Sequence, residues 1–430
     1  MKSERKIIIG LDGVPYDLIS ELTSSGVMPE TEKIIESGTF KKMKSSIPEI
    51  SSVSWSSLIT GTNPGQHGIY GFTDIVPGTY TVNFPNFRAL QSKPFWHRNP
   101  EAKYAIINVP FTYPAEELNG YLTSGFVAPD LDKAVYPEEI LPELKELNYK
   151  VDVESNMAHK SMDRFLEELF EVLDARIEAY RLLWGELSWD TFVFVITGTD
   201  RLMHFLWEAH EKENHRYKSE FLDFFKRVDK AIGEINSRIN KKDRLSIVSD
   251  HGFGPLHASA NVNSYLRKHG FLELDSDEIE KRNFNAIRDK TKAFALDPGR
   301  IYLNTKSRFP KGSVEKEDSD KLLAELEAAF GDFKKGDKPV IKAMYRKEDL
   351  YEGPQLSKAP DLVLQPNEGF SLKGDITKSK IFEEDIFTGE HTYPDAIFID
   401  NRPKNNKPDE DFSVEDIPEI LGLINPKGGK

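Results

Sequence analysis

The chain of 430 residues carries 57 basic and 71 acidic side chains, a net charge of −14, with 38% hydrophobic and 11% aromatic residues. That length exceeds what one core usually holds and predicts either a large domain with an insertion or two domains. The acidic balance argues against a surface that coats nucleic acid, and the lack of any cysteine excludes disulfides, thiolate metal sites and cysteine nucleophiles.

Read in chain order, the N-terminal MKSERKIIIGLDG holds an apolar run too short for a signal segment, and a glycine turn ends it at once. No later run approaches bilayer length, so the expected location is cytoplasmic. The run Lys6–Leu11 reads as a buried strand, and short helices follow Pro15 and Pro29. A helix is expected over 54–60, stopped by Gly61. Residues 74–103 are rich in turn formers and aromatics. Further buried strands are expected at Tyr104–Val109, Thr191–Ile196, 245–248, 361–364 and 396–399, with amphipathic helices over 163–183, 218–239 and 318–330. Ile- and Val-rich runs without alternation suit a parallel sheet covered on both faces, and strands alternating with helices predict an α/β doubly wound, mostly parallel sheet. The expected catalytic domain spans 1–274 and 361–403. Residues 275–360, charged and loop-like, read as an inserted cap, and 404–430 as a tail with a short helix over 414–423.

Three of these strands end alike: KIIIGLD at Asp12, TFVFVITGTD at Asp200, LSIVSDH at Asp250 and His251. In an open parallel sheet the carboxyl ends of strands face a common crevice. His204 follows Asp200 by four residues, so a helix there puts both on one face. His391 sits in GEHTYPDAIFID, just before another strand. A strand-end Asp alone is often a cap or turn former. Three carboxylates and three imidazoles together can hold two divalent cations, Zn²⁺ best, with Mn²⁺ and Fe²⁺ as alternatives. Two cations about 3.5–4 Å apart clamp the attacking and leaving oxygens of a phosphoryl displacement.

The segment SIPEISSVSWSSLITGTNPGQHGIYGF offers the hydroxyl. Ser51 or Ser52 falls at the start of the helix, where backbone N–H groups and the dipole favour an oxyanion. Ser51, Ser52 and Ser54 each also suit an N-cap. His67, in PGQHG, is expected to brace a turn, and His257, after a Gly-Phe-Gly-Pro bend, to touch substrate.

With these pieces the chain resembles the alkaline phosphatase superfamily in its type I phosphodiesterase/nucleotide pyrophosphatase branch, nearest to the phosphohydrolase/phosphomutase group of prokaryotes. The matching segments are GLDGVPYDLI, the Ser51 segment through TGTNPGQHGIYGF, INVPFTYPAEELNGYLTSGF, TGTDRLMHFLW, SDHGFGP and GEHTYPDAIFI. The resemblance implies an alkaline phosphatase-like fold and a metal-dependent phosphoric ester hydrolase, a phosphodiesterase or phosphatase, with a phosphoserine intermediate. It implies one cation among Asp12, Ser51, Asp250 and His251, a second among Asp200, His204 and His391, and Ser51 as nucleophile, with Ser52 its neighbour and competitor. Ser54 stands where nucleotide pyrophosphatases often carry a phosphate-binding Asn. The expected substrate is a small nucleotide, sugar or lipid head-group ester. A phosphomutase using the same phosphoserine is the alternative, and a non-catalytic metal-stabilised binding protein the alternative of another class.

Overall fold

Residues of alternate parity on one strand face opposite sides of a sheet, and both sides of the central sheet here are dry. In the computed structural model, which describes residues 4–186, 188–275, 284–403 and 411–426, the chain divides into two units. One comprises Met1–Thr62, Asn86–Gly254 and Ile386–Lys430, the other Asn63–Pro85 and Pro255–Asp385.

The first unit holds an eight-stranded sheet in the order Thr39–Met43, Ala396–Asp400, Arg244–Val248, Lys6–Leu11, Thr191–Ile196, Tyr104–Val109, Gly120–Ser124, Val135–Tyr136. From Arg244–Val248 to Gly120–Ser124 every pairing is parallel, and the flanking strands are antiparallel. Ile7, Ile9, Phe192, Phe194, Leu245 and Ile247 pack with the helices Tyr16–Ser24, Met162–Glu186 and Lys218–Arg238. Ile8, Val193, Val195, Val248 and Phe398 pack the other way, with Trp55 and Leu58 of the helix Ser51–Thr60 and with Ile417 and Leu421. Burial on both faces is why these strands read as unbroken apolar runs. Gly10 is the one gap in the Lys6–Leu11 run, and a Cβ there would stand 2.5 Å from the Trp55 ring. The fold is the expected doubly wound, mostly parallel α/β sheet with helices on both faces.

The second unit has its own core. An antiparallel sheet runs Ala293–Leu296, Arg300–Leu303, Leu362–Pro366, Ile341–Arg346. The helix Ser319–Gly331 buries Leu322, Leu326 and Phe330 in the same cluster as Phe294, Tyr302 and Leu364. The run 361–364, expected in the parallel sheet, belongs here instead. Leu362 and Val363 are fully buried, so composition matches a central strand, but the partners are Arg300–Leu303 and Ile341–Arg346. The second unit is also larger than the 275–360 insert read from the sequence. Residues 63–85 join it because buried Arg300 donates to the Thr73 carbonyl at 2.8 Å and the Thr73 hydroxyl at 3.0 Å.

Near the end of the chain, one helical turn at Val414–Asp416 and another at Ile417–Ile420 occupy the expected 414–423 span. Residues 276–283 of the expected cap and 404–410 and 427–430 of the expected tail lie outside the described residues. Among the described residues no helix is long and apolar enough to cross a membrane.

Candidate active site

Three neighbouring parallel strands, Arg244–Val248, Lys6–Leu11 and Thr191–Ile196, deliver their chain ends to one place, with Gly10 in register with both Val248 and Val195. Asp12 follows the middle strand directly. Gly13 then turns the chain at φ +72, a conformation that suits glycine, and its N–H donates to Asp250 Oδ1 at 3.1 Å. The outer strands supply Asp250–His251 and the helix Gly198–Glu211, with Asp200 in its first turn and His204 one turn on.

The helix kinks at Leu206 (φ −131, ψ 27). Thr388 enters its hydrogen-bond ladder: the Thr388 N–H donates to the His204 carbonyl at 2.7 Å, and its hydroxyl accepts from the Glu208 N–H at 3.3 Å. A group inserted into the ladder is a recognised cause of kinking. The same insertion brings the Gly389–Thr392 strand, and so His391, beside His204.

Ser51 opens the helix Ser51–Thr60, after an extended Ile50 and with no side-chain cap. The helix starts earlier than the expected 54–60 because it is buried on every side, all ten residues included. Its small hydroxyls find partners inside the fold: Ser56 donates to the Ser52 carbonyl and Thr60 to the Ser56 carbonyl, each at 2.6 Å. Ser54 Oγ lies 3.0 Å from Ser45 Oγ and 2.8 Å from Ser46 Oγ. Ser45 in turn donates to the Asp250 carbonyl at 2.7 Å, which ties the approach to the helix to the strand end. Ser54 thus serves this buried serine cluster. Ser52 is fully buried, and its hydroxyl has no hydrogen-bond partner.

The seven residues expected at the cation sites converge. Ser51 Oγ is 3.3 Å from Asp12 Oδ1 and 3.3 Å from His251 Nε2. His251 Nε2 is 3.7 Å from Asp12 Oδ1 and 3.4 Å from Asp250 Oδ2. His391 Nε2 lies 3.1 Å from Asp200 Oδ1 and 2.9 Å from His204 Nε2, which is itself 3.4 Å from Asp200 Oδ1. The His251 and His391 rings stack at 3.7 Å between centroids, joining the two clusters.

The far side of each imidazole fixes its hydrogen. Nδ1 of His204 faces the Gly389 carbonyl at 3.1 Å, Nδ1 of His251 the Gly252 carbonyl at 3.0 Å, and Nδ1 of His391 the Glu49 carbonyl at 2.9 Å. A carbonyl only accepts, so each Nδ1 carries a hydrogen and each Nε2 is the nitrogen turned inward, the one a metal would take up from the neutral ring. Asp250 Oδ2, fully buried, takes no hydrogen bond. A buried carboxylate oxygen without a donor, among converging imidazole nitrogens, fits a cation. Metal-competent donor sets form at Asp12, Asp250 and His251, at Asp200, His251 and His391, and at His204, Glu390 and His391, each with its ligand atoms within 4.8 Å of one another.

The ionisation behaviour follows from the same crowding. Burial, reinforced by the carboxylates of Asp250 and Asp200, pushes the Asp12 carboxyl well above its usual range. Burial also raises Asp200, but the imidazoles of His204 and His391 prevail and hold it well below. Burial lowers His251. It opposes His391 too, yet the bond and charge of Asp200 lift that imidazole to about 9.

Three contributors escaped the sequence reading. Glu390 had a signal in its adjacency to His391, and Arg201 in its adjacency to Asp200. Asp152, which holds Arg201 at 2.7 Å, lies 49 residues away in the chain and has none. His257 belongs to the second unit, where it is exposed and lines a cavity of about 460 Å³ with Lys335, Lys338, Glu368 and Phe370. His67, buried in that unit, braces its turn by accepting from the Ile69 N–H at 3.2 Å.

A doubly wound sheet whose strand ends gather carboxylates, imidazoles and a helix-start hydroxyl defines an α/β enzyme of the alkaline phosphatase-like fold. The type I phosphodiesterase / nucleotide pyrophosphatase model matches residues 6–394. The chain belongs to that family, and it is a phosphoric ester hydrolase. Phosphonoacetate hydrolase from Sinorhizobium meliloti 1021, solved with phosphonoformate, shares the fold with a TM-score of 0.66 at 16% identity, over 98% of this chain and 95% of that one. Murine ectonucleotide pyrophosphatase / phosphodiesterase 5 shares it with a TM-score of 0.58 at 13% identity, over 99% and 98%. No curated relative matches the sequence significantly.

Proposed function

We propose that the chain hydrolyses a small phosphoric ester (of a nucleotide, sugar or lipid head group) through a phosphoserine on Ser51, with two divalent cations. Asp12, Ser51, Asp250 and His251 would hold one cation, and Asp200, His204 and His391 the other. Zinc suits these N and O donors best, with manganese or iron(II) as alternatives. Bound there, the cations supply positive charge that lowers the pKa of the serine hydroxyl and offsets charge building on the phosphoryl oxygens. Cytoplasmic residence is part of this reading and rests on the short apolar runs of the sequence alone.

One observation carries it: the Ser51 hydroxyl stands 3.3 Å from both Asp12 Oδ1 and His251 Nε2, in a cluster whose Asp250 Oδ2 is buried without a donor. Ser51 Oγ, deprotonated, attacks phosphorus. The Oγ–P bond forms as the bond to the leaving oxygen breaks, and that oxygen departs with the electron pair and takes up a proton. The start of the ten-residue helix turns backbone N–H groups toward the transferred anion. Water then attacks phosphorus, breaks the Oγ–P bond and restores Ser51. The three imidazoles, anchored through Nδ1, keep their inward nitrogens fixed throughout.

Acid-quenching turnover of an aryl phosphate ester with Zn²⁺ or Mn²⁺ and mapping the peptides tests this. Phosphate on Ser51 is expected. Phosphate on Ser52, or on no serine, overturns the nucleophile assignment. Formation of an isomer from a sugar phosphate, without free phosphate, would mark a mutase instead.

A further inference from the structure

Asp200 has two oxygens, and they face different partners. Oδ1 meets the inward nitrogens of His391 at 3.1 Å and His204 at 3.4 Å. Oδ2 accepts from Arg201 Nη1 at 3.1 Å. The rest of that guanidinium is fixed from behind: Nη2 donates to Asp152 Oδ2 at 2.7 Å and Nε to the same oxygen at 3.1 Å. The guanidinium sits over the Phe126 ring, 4.2 Å from Cζ to the ring centroid. A guanidinium held by a two-point carboxylate clamp and an aromatic face keeps a fixed fork, which a lysine ammonium cannot reproduce.

We infer that Arg201, braced by Asp152, is a positioning residue that restricts Asp200 to a one-oxygen ligand at the second cation position. With Oδ2 tied to Arg201, Asp200 would offer that position Oδ1 alone, beside His204 Nε2 and His391 Nε2, with the Glu390 carboxylate in the same cluster of donors. A one-oxygen Asp200 would occupy one coordination place fewer than a two-oxygen one and would leave that place for a substrate oxygen, as catalytic rather than closed structural zinc sites do. Without Arg201, Asp200 is free to rotate and its lone pairs lose their aim. The inference rests on the metal reading above.

The test is calorimetric titration of metal-free protein with Zn²⁺ alone. Wild type is expected to take two equivalents. Arg201→Met should take one with unchanged affinity and the other about 10–100-fold more weakly, the usual cost of removing a group that orients a ligand. Arg201→Lys should recover part of the loss. Asp152→Asn, which keeps the guanidinium but loosens its brace, should weaken the same equivalent by a smaller factor and guards against a misfolded Arg201→Met. An identical two-site titration for wild type, Arg201→Met and Asp152→Asn would overturn the role of Arg201 while leaving the metal reading intact. Wild type that takes up no zinc would overturn both.

Discussion

Both units bury charged side chains, and the strand-end corner of the first treats them differently from the core of the second. In the second unit Asp361 receives the Leu303 N–H at 2.8 Å, Lys347 Nζ at 2.7 Å and Arg308 Nη1 at 3.4 Å. Buried Arg300 there spends its donors on Thr73 and on the Asp297 carbonyl at 2.7 Å. At the strand ends of the first unit Asp250 Oδ2 has no donor, Asp12 is crowded by other carboxylates, and three imidazoles turn Nε2 inward. A burial penalty the fold cancels by itself marks architecture, and one it leaves for a ligand to cancel marks chemistry.

The largest expected effect separates two adjacent serines in the first unit. Ser51→Ala should lower turnover of an aryl phosphate ester by roughly 10⁴-fold or more, as loss of a nucleophile does elsewhere, with zinc content retained. Ser52→Ala removes a hydroxyl that bonds to nothing and should leave kcat within about threefold and stability equal or slightly higher. Steady-state kinetics with metal analysis checks both. The reverse ranking would move the chemistry one residue along.

The sharpest test of the contrast is one substitution in each unit. Asp361→Asn strips a charge from Arg308 and Lys347 and should destabilise by roughly 3 kcal/mol. Asp250→Asn should do the opposite in metal-free protein. The new amide keeps an oxygen for the Gly13 N–H and offers a hydrogen toward His251 Nε2, which lies 3.4 Å from Oδ2. A gain of roughly 1–2 kcal/mol by denaturant unfolding is expected, together with loss of one zinc equivalent. If both variants lose stability alike, the distinction between cancelled and uncancelled charge fails.

Much of the first unit was legible because buried parallel strands write themselves as unbroken Ile and Val runs. Lys6–Leu11, Tyr104–Val109 and Thr191–Ile196 have the expected bounds. The meeting of the expected cation ligands in one corner was legible for a related reason. Parallel strands end on the same edge, so a polar residue just past each run must arrive together with the others. What local pattern does not encode is partner choice. The 361–364 run is as apolar as a central strand, yet Ile341–Arg346 and Arg300–Leu303 claim it. The extent of the second unit turns on contacts such as those of Arg300 with Thr73, 227 residues apart, and of Tyr80 with Asn304, 224 apart. Position marked Ser54 as a candidate phosphate ligand, and its contacts with Ser45 and Ser46 are a tertiary feature that no local pattern encodes.

A middle-sized effect follows from His391. Its folded value of about 9 lies above the ordinary 6.5 because Asp200 outweighs burial. A raised pKa means stability present below pH 6.5 and lost as the pH rises through about 9. Metal-free protein should therefore melt at progressively lower temperature across that window. At neutral pH the proton on His391 Nε2 stands where the cation would bind, so zinc must displace it. NMR of the histidine rings should place the His391 midpoint near 9 without metal and find no titration there with zinc bound. A midpoint near 6.5 in metal-free protein would remove the coupling to Asp200.

The smallest effect tests how the corner is aimed rather than what it contains. Thr388→Val keeps the methyl bulk and the backbone bond to the His204 carbonyl but removes the hydroxyl that receives the Glu208 N–H. One unsatisfied helix N–H should cost about 1 kcal/mol. The kink at Leu206 should persist, because the backbone insertion remains, so His204 should keep its place and the second zinc should weaken only about two- to fivefold, within the few tenths to one kcal/mol that such a shift in aim implies. Thr388→Pro removes the N–H donor as well and should weaken that zinc further, while leaving the cation among Asp12, Ser51, Asp250 and His251 unaffected. Equal loss at both cations would mean that Thr388 supports the whole unit, and its insertion into the helix would then explain stability and not the placement of His391.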